Sequence, residues 1–167
     1  MTGNDAEGDN RAGAGVGVLP AEDLAALSGL EFLRGAMAGT YPLPPITETM
    51  PMRLVAVEEG RVVFEARPEA RHLNPIGTIH GGFAATVLDG AMACAVHSHL
   101  PAGTAYTTLE IKISYLRGLA PDSGPLTAEA RTLSVGRRAG TAEAHLRDGA
   151  GRLVAHGTST CLIFRAG

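Results

Sequence analysis

The sequence predicts an α+β domain in which one antiparallel sheet curls around a single long central helix, with an extra helix nearer the N-terminus. Three observations carry this prediction. Phe83 to His97 is a small-residue, apolar segment of helical length interrupted by one charge. Ahead of it lies a hairpin pattern, and behind it the chain reads as strands separated by turn residues. Within and beside the segment, Gly82, Ala84, Ala85, Gly90, Ala91, Ala93 and Ala95 are small on nearly every side, as a helix must be if strands are to approach it all round. Helix propensity alone does not account for the glycines.

Residues 1–18 are rich in Gly, Asn, Asp and Ala, lack the basic start and apolar core of a signal peptide, and are expected to form a disordered tail. Residues 19–45 are read as a helix followed by a Pro-rich connection. Pro20 and the acidic pair after it open an amphipathic helix with Leu24, Leu27, Leu30 and Leu33 at intervals of three, expected to end near Gly39. Pro42, Pro44 and Pro45 then force extended chain. The main domain spans residues 46–165. It begins with two apolar runs, Leu54 to Val57 and Val62 to Ala66, which flank Glu58-Glu59-Gly60 as a hairpin.

A loop from Gly77 to Gly82 leads into the central helix, which His97-Ser98-His99 and Pro101 close. The two histidines are expected as a helix-end pair favoured by the dipole, not as a metal site. Beyond them Leu109, Ile111, Ile113 and Tyr115 alternate with Thr108, Glu110, Lys112 and Ser114, the period of a sheet with one buried face. That phase sends Thr107 to the core with Leu109 and leaves Thr108 on the polar side. Leu126 to Val135, Thr141 to Arg147 and Leu153 to Phe164 follow, giving a four-stranded meander in which neighbours pair antiparallel.

The length of 167 residues fits one domain with a full core, and no apolar run reaches membrane-spanning length. A formal charge of −3, with arginines dispersed apart from Arg137-Arg138, argues against nucleic acid as a partner. Cys94 and Cys161 show no metal spacing, read as small buried hydrophobes, and fit a reducing cytoplasm.

Asp89 is the only Asp, Glu, Lys or Arg between Arg71 and Glu110. A carboxylate alone in such surroundings is costly to desolvate, and that marks it as a functional candidate. Asp89, nine residues after the histidine of a His80-Gly81-Gly82 turn, is accompanied by Asn74, Gly77, the Thr107 to Tyr115 strand, Gly136-Arg137-Arg138 and a closing Asp148 to Ala155 hairpin. This ordered set resembles the hotdog-fold acyl-CoA thioesterases, in their phenylacetate-degradation (PaaI-type) branch, over roughly residues 46–164.

The resemblance implies hydrolysis of an acyl-CoA thioester to free acid and CoA, without metal or other cofactor. It assigns the Asp89 position the role of general base or nucleophile, and the Gly81 N–H that of polarising the thioester carbonyl. The Asn74 position helps hold substrate and loop, the Thr108 hydroxyl orients the attacking water, and His80 shapes the loop or binds near the thioester. The residues agree with these roles. Gly81 and Gly82 expose backbone donors at a helix start, where the dipole favours a developing oxyanion, and lack side chains that would block approach. The Arg137-Arg138 pair beside Gly136 is either a solvated hairpin or a clamp on CoA phosphates, for which guanidinium geometry suits.

Asp89 lies eight residues beyond Gly81, about 12 Å along a helix. If both act on one thioester, Asp89 must come from a second subunit, which makes the site the shared property of a homodimer. The resemblance adds that two such dimers often associate. Two alternatives remain open: a hotdog hydratase or dehydratase, which would need a histidine partner for Asp89, and a non-catalytic acyl-CoA-binding protein on the same scaffold. Four Phe, three Tyr and no Trp leave the acyl group undetermined, between aryl and medium-chain.

Overall fold

The computed structural model describes residues 14–165. Most of the expected tail over residues 1–18 therefore lies outside the described residues. Its last part pairs with the Pro-rich connection, through Gly17 N–H to Leu43 C=O and Leu43 N–H to Gly15 C=O.

The N-terminal helix is two helices, α1 (Ala21–Ala25) and α2 (Gly29–Met37). The leucine spacing runs through both, but Ser28 interrupts it. Its hydroxyl accepts the Glu31 N–H while the Glu31 carboxylate accepts the Ser28 N–H, a reciprocal cap that starts a new helix. The Ser28 hydroxyl also donates to the Glu31 carboxylate, and this bond, followed by that from the Ser28 N–H, lowers the Glu31 pKa. α2 stops at Met37, and Gly39 follows with φ +75°, a value that disfavours any residue with a Cβ.

The expected hairpin is β1 (Met52–Glu58) and β2 (Arg61–Ala66), turning through Glu59 and Gly60. The central helix α3 (Gly81–His97) begins two residues earlier than Phe83, so Gly81 and Gly82 form its first turn. β3 (Thr104–Tyr115), β4 (Leu126–Val135), β5 (Ala139–Arg147) and β6 (Leu153–Arg165) complete one six-stranded antiparallel sheet in the order β1-β2-β4-β5-β6-β3.

The meander expectation holds for β4, β5 and β6 and fails for β3. β3 pairs with β6, while β4 enters beside β2 and ties the hairpin to the rest of the sheet. The connection of residues 116–125 carries Gly118, Pro121 and Gly124 and is too long for a tight hairpin. β3 is left as an edge strand.

A bulge also corrects the phase of β3. Thr108 pairs with Cys161 and Glu110 with Thr160, so Leu109 has no partner across the ladder. Thr107 and Leu109 are exposed, and Thr108 turns toward α3, the reverse of the period-2 expectation at this end.

The core lies between α3 and the concave face of the sheet. Val87, Leu88, Ala91, Met92, Ala95 and Val96 of the helix are fully buried against Ala128, Ala130, Ala142, Ala144 and Ala155. Alanines on the strands match the small residues on the helix. At Gly140 the approach is closer still, since a Cβ there would fall 2.6 Å from Val96 Cγ1.

α2 covers the C-terminal end of α3, where the His97 ring packs between Phe32 and Tyr106 at centroid distances of 5.7 and 4.9 Å. Burial lowers the His97 pKa to about 4, so the ring is neutral at pH 7. The dipole reading is thus corrected for His97, because desolvation outweighs the attraction of a helix C-terminus. The unfolded chain takes up this proton near pH 6.5 and the folded chain near pH 4. The stability from keeping the ring neutral is therefore complete above pH 6.5 and is lost as pH falls toward 4. Acidification from pH 7 to pH 5 should cost about 2 kcal/mol through this residue. Urea titrations of the native protein and His97→Phe at both pH values check this, with the variant losing less on acidification.

Candidate active site

The loop before α3 is built by Asn74. Its Oδ1 accepts the N–H groups of Ile76 and Thr78, its Nδ2 donates to Thr78 Oγ1 at 2.8 Å, and Gly77 makes the reversal with φ +83°. One N–H of the Asn74 amide is left for other uses. Further bonds, Ile79 N–H to Leu119 C=O and His80 N–H to His72 C=O, hold the end of the loop against its neighbours.

His80 is the N-cap of α3, and its Nδ1 accepts the Gly82 N–H at 2.9 Å. Since Nδ1 is the acceptor, the neutral ring carries its proton on Nε2. One of the donors at the helix start is thereby satisfied, whereas the Gly81 N–H has no acceptor among the described residues. Gly81, His80, Ile79, Ala84, Tyr115 and Arg117 help line a cleft of about 300 Å³. A carbonyl oxygen entering there meets a free N–H at the positive end of a helix of 17 residues. Gly82 is exposed beside it, but its N–H is committed to His80.

Asp89 sits two turns further along α3, half-buried, on the face toward β3. Thr108 Oγ1 donates to Asp89 Oδ1 at 3.0 Å, and Asp89 forms no ion pair with any other described residue. Behind this pair lie Cys94, Cys161 and Tyr106. Burial, followed by the Asp89 charge, pushes the Cys94 thiol up to about 12, and burial also raises the Cys161 thiol and the Tyr106 phenol. Neither thiol is an available thiolate, which leaves the carboxylate as the group of this cluster able to take up a proton.

Gly136, Arg137 and Arg138 form the exposed β4–β5 turn, closed by Gly136 N–H to Ala139 C=O at 2.8 Å. The turn adjoins Gly140, which packs on Val96, so it lies at the C-terminal end of α3. The described chain thus brings together Asp89 with Thr108, and His80 with Gly81 and Gly82. It keeps the two groups about 12 Å apart along one helix, with the arginines beyond Asp89. No group of three or more His, Cys, Asp or Glu among the described residues could hold a metal ion. Among those residues, no helix is long and apolar enough to cross a membrane.

Sequence reading passed over Tyr115, treating it as one more inward strand residue. It donates to Gly81 C=O at 3.0 Å. The phase of Ile111, Ile113 and Tyr115 toward the helix was the available signal.

Comparison with known proteins agrees with this architecture. The thioesterase superfamily matches residues 76–155, the stretch from the Asn74 loop through α3 into β6. Human acyl-coenzyme A thioesterase 13 is 30% identical over 108 residues, covering 64% of this chain and 76% of that protein. A phenylacetic acid degradation-related protein of Ralstonia eutropha JMP134 superposes with a TM-score of 0.72 at 28% identity, covering 78% of this chain and 98% of that one. A mutant of the phenylacetic acid degradation protein PaaI of Thermus thermophilus gives 0.64 at 28%, over 71% and 97%. With the helix-wrapped sheet and the site it carries, these likenesses place the chain in the thioesterase superfamily, as a hotdog-fold thioester hydrolase of the PaaI-type branch.

Proposed function

We propose that the protein hydrolyses an aryl- or medium-chain acyl-CoA to the free acid and CoA, at a site shared between two subunits. The observation that carries this reading is the division of the machinery along α3, with a free Gly81 N–H at its start and the Thr108-held carboxylate of Asp89 two turns on. Apposing two copies antiparallel across their β3 edges would set the Gly81 of one beside the partner subunit's Asp89. Support for such pairing comes from β3 itself. It is an edge strand with open backbone groups, and Leu109, Ile111 and Tyr115 are 59%, 39% and 54% exposed in the single chain. Association of two such dimers is part of the same proposal.

In this reading the thioester oxygen accepts the Gly81 N–H. The partner subunit's Asp89 either attacks the carbonyl carbon or takes a proton from the water that does. On the water route, the water oxygen bonds to the carbonyl carbon and its proton passes to the carboxylate. Collapse of the tetrahedral species breaks the C–S bond, and the thiolate leaves with the proton returned from Asp89. Thr108 holds Oδ1, which leaves Oδ2 for the proton. Arg137 and Arg138 lie on the Asp89 side, where they would meet the CoA phosphates of a substrate anchored at the other subunit's Gly81. Asn74 and His80 keep the donor loop in shape, and Gly82 and Gly136 keep their surroundings open. The two protonated thiols suit a cytoplasmic site of action.

The test is release of free thiol from phenylacetyl-, hydroxybenzoyl- and straight-chain acyl-CoAs by the purified protein. Turnover on at least one aryl or medium-chain substrate is expected. Binding of these substrates without thiol release would instead favour the acyl-CoA-binding alternative.

A further inference from the structure

We infer that Tyr115 is a positioning residue for the oxyanion site, acting through the Gly81–Gly82 peptide on His80; the inference rests on the thioesterase reading given above. Three observations converge on it. The Tyr115 hydroxyl donates to Gly81 C=O at 3.0 Å. The N–H at the other end of that same peptide, on Gly82, donates to His80 Nδ1 at 2.9 Å. A Cβ added at Gly81 would lie 3.2 Å from Tyr115 Cζ, so the ring takes the space a side chain would need and packs directly on the donor turn.

The first two contacts form one chain, from the tyrosine O–H through the peptide to the imidazole. A peptide bonded at both ends is polarised, so each bond strengthens the other. Two consequences follow. The Gly81–Gly82 peptide plane is fixed from outside the helix, and with it the direction of the neighbouring Gly81 N–H. The strengthened Gly82 donor also keeps Nδ1 of His80 as acceptor, which leaves the Nε2 proton available to the cleft that His80, Gly81 and Tyr115 line together.

Packing does not explain the hydroxyl. Tyr115 is the last residue of the edge strand β3 and is about half exposed, so phenylalanine would fill the same space. An α-helix needs no second donor on a first-turn carbonyl. The O–H is therefore assigned to holding the turn.

The experiment compares the native protein with Tyr115→Phe in two ways. Thiol-release kinetics on the best acyl-CoA should show kcat reduced about tenfold and KM changed by less than about twofold, with the oligomer unaltered by size-exclusion chromatography. Ring ¹⁵N shifts of His80 should move from the Nε2–H tautomer toward a mixture of the two. An unchanged kcat, or a lower kcat with the His80 tautomer unmoved, would overturn the inference. If the native protein releases thiol from no acyl-CoA, the catalytic reading fails by itself, and the ¹⁵N shifts alone then decide whether Tyr115 sets the His80 tautomer.

Discussion

Asp89→Asn should reduce acyl-CoA turnover by a hundredfold or more while leaving the fold and the oligomer intact. The amide is the same size as the carboxylate, and its oxygen can still accept the Thr108 hydroxyl that now sits 3.0 Å from Oδ1. What is lost is the ability to take a proton or to attack carbon, and a positioned acid or base contributes about 10²–10⁴-fold. No neighbouring group can substitute. The neighbouring thiols are held protonated by burial, Cys94 up to about 12. The measurement is kcat from thiol release at saturating substrate, with circular dichroism and size-exclusion chromatography as folding controls. Turnover within about threefold of native would remove Asp89 from the chemistry.

The second large effect concerns the sharing of the site. Gly81→Val should abolish turnover, because its side chain would press on the Tyr115 ring and fill the mouth of the cleft. Mixed with Asp89→Asn and refolded together, the two inactive chains should regain activity. In a mixed dimer one site carries both lesions, and the other combines a native Gly81 with a native Asp89. Random pairing makes half the dimers mixed with one good site each, so about one quarter of native activity should return. A site contained within one subunit predicts no recovery at any mixing ratio.

Much of this architecture was legible in the chain, for reasons that differ by element. α3 could be read because its small apolar character is set by what surrounds it, and β4, β5 and β6 because turn residues punctuate them. Asp89 stood out through charge isolation alone, a signal independent of secondary structure. The misses each have a local cause. Ser28 hides a helix boundary inside an unbroken leucine pattern, although Ser28 and Glu31 have the spacing of a cap. Pairing of β3 with β6 is a long-range choice that no periodicity encodes. The neutral state of His97 depends on Phe32 and Tyr106, residues remote in sequence that meet only in the fold. The Gly81–Tyr115 contact is hidden in the same way.

The bulge at Leu109 has a consequence for how one strand serves the whole site. Thr108 supports the carboxylate and Tyr115 supports the donor turn, and both do so from β3. They are separated by an odd number of steps. In a regular strand, residues an odd number of steps apart point to opposite faces, so one of the two would look away from the helix. Leu109 is the residue without a ladder partner, and it changes the parity of everything after it. A single uncounted residue thus lets one strand hold both Asp89 and the Gly81 turn along α3, and a deletion there would detach one support from the other while leaving each side chain in the sequence.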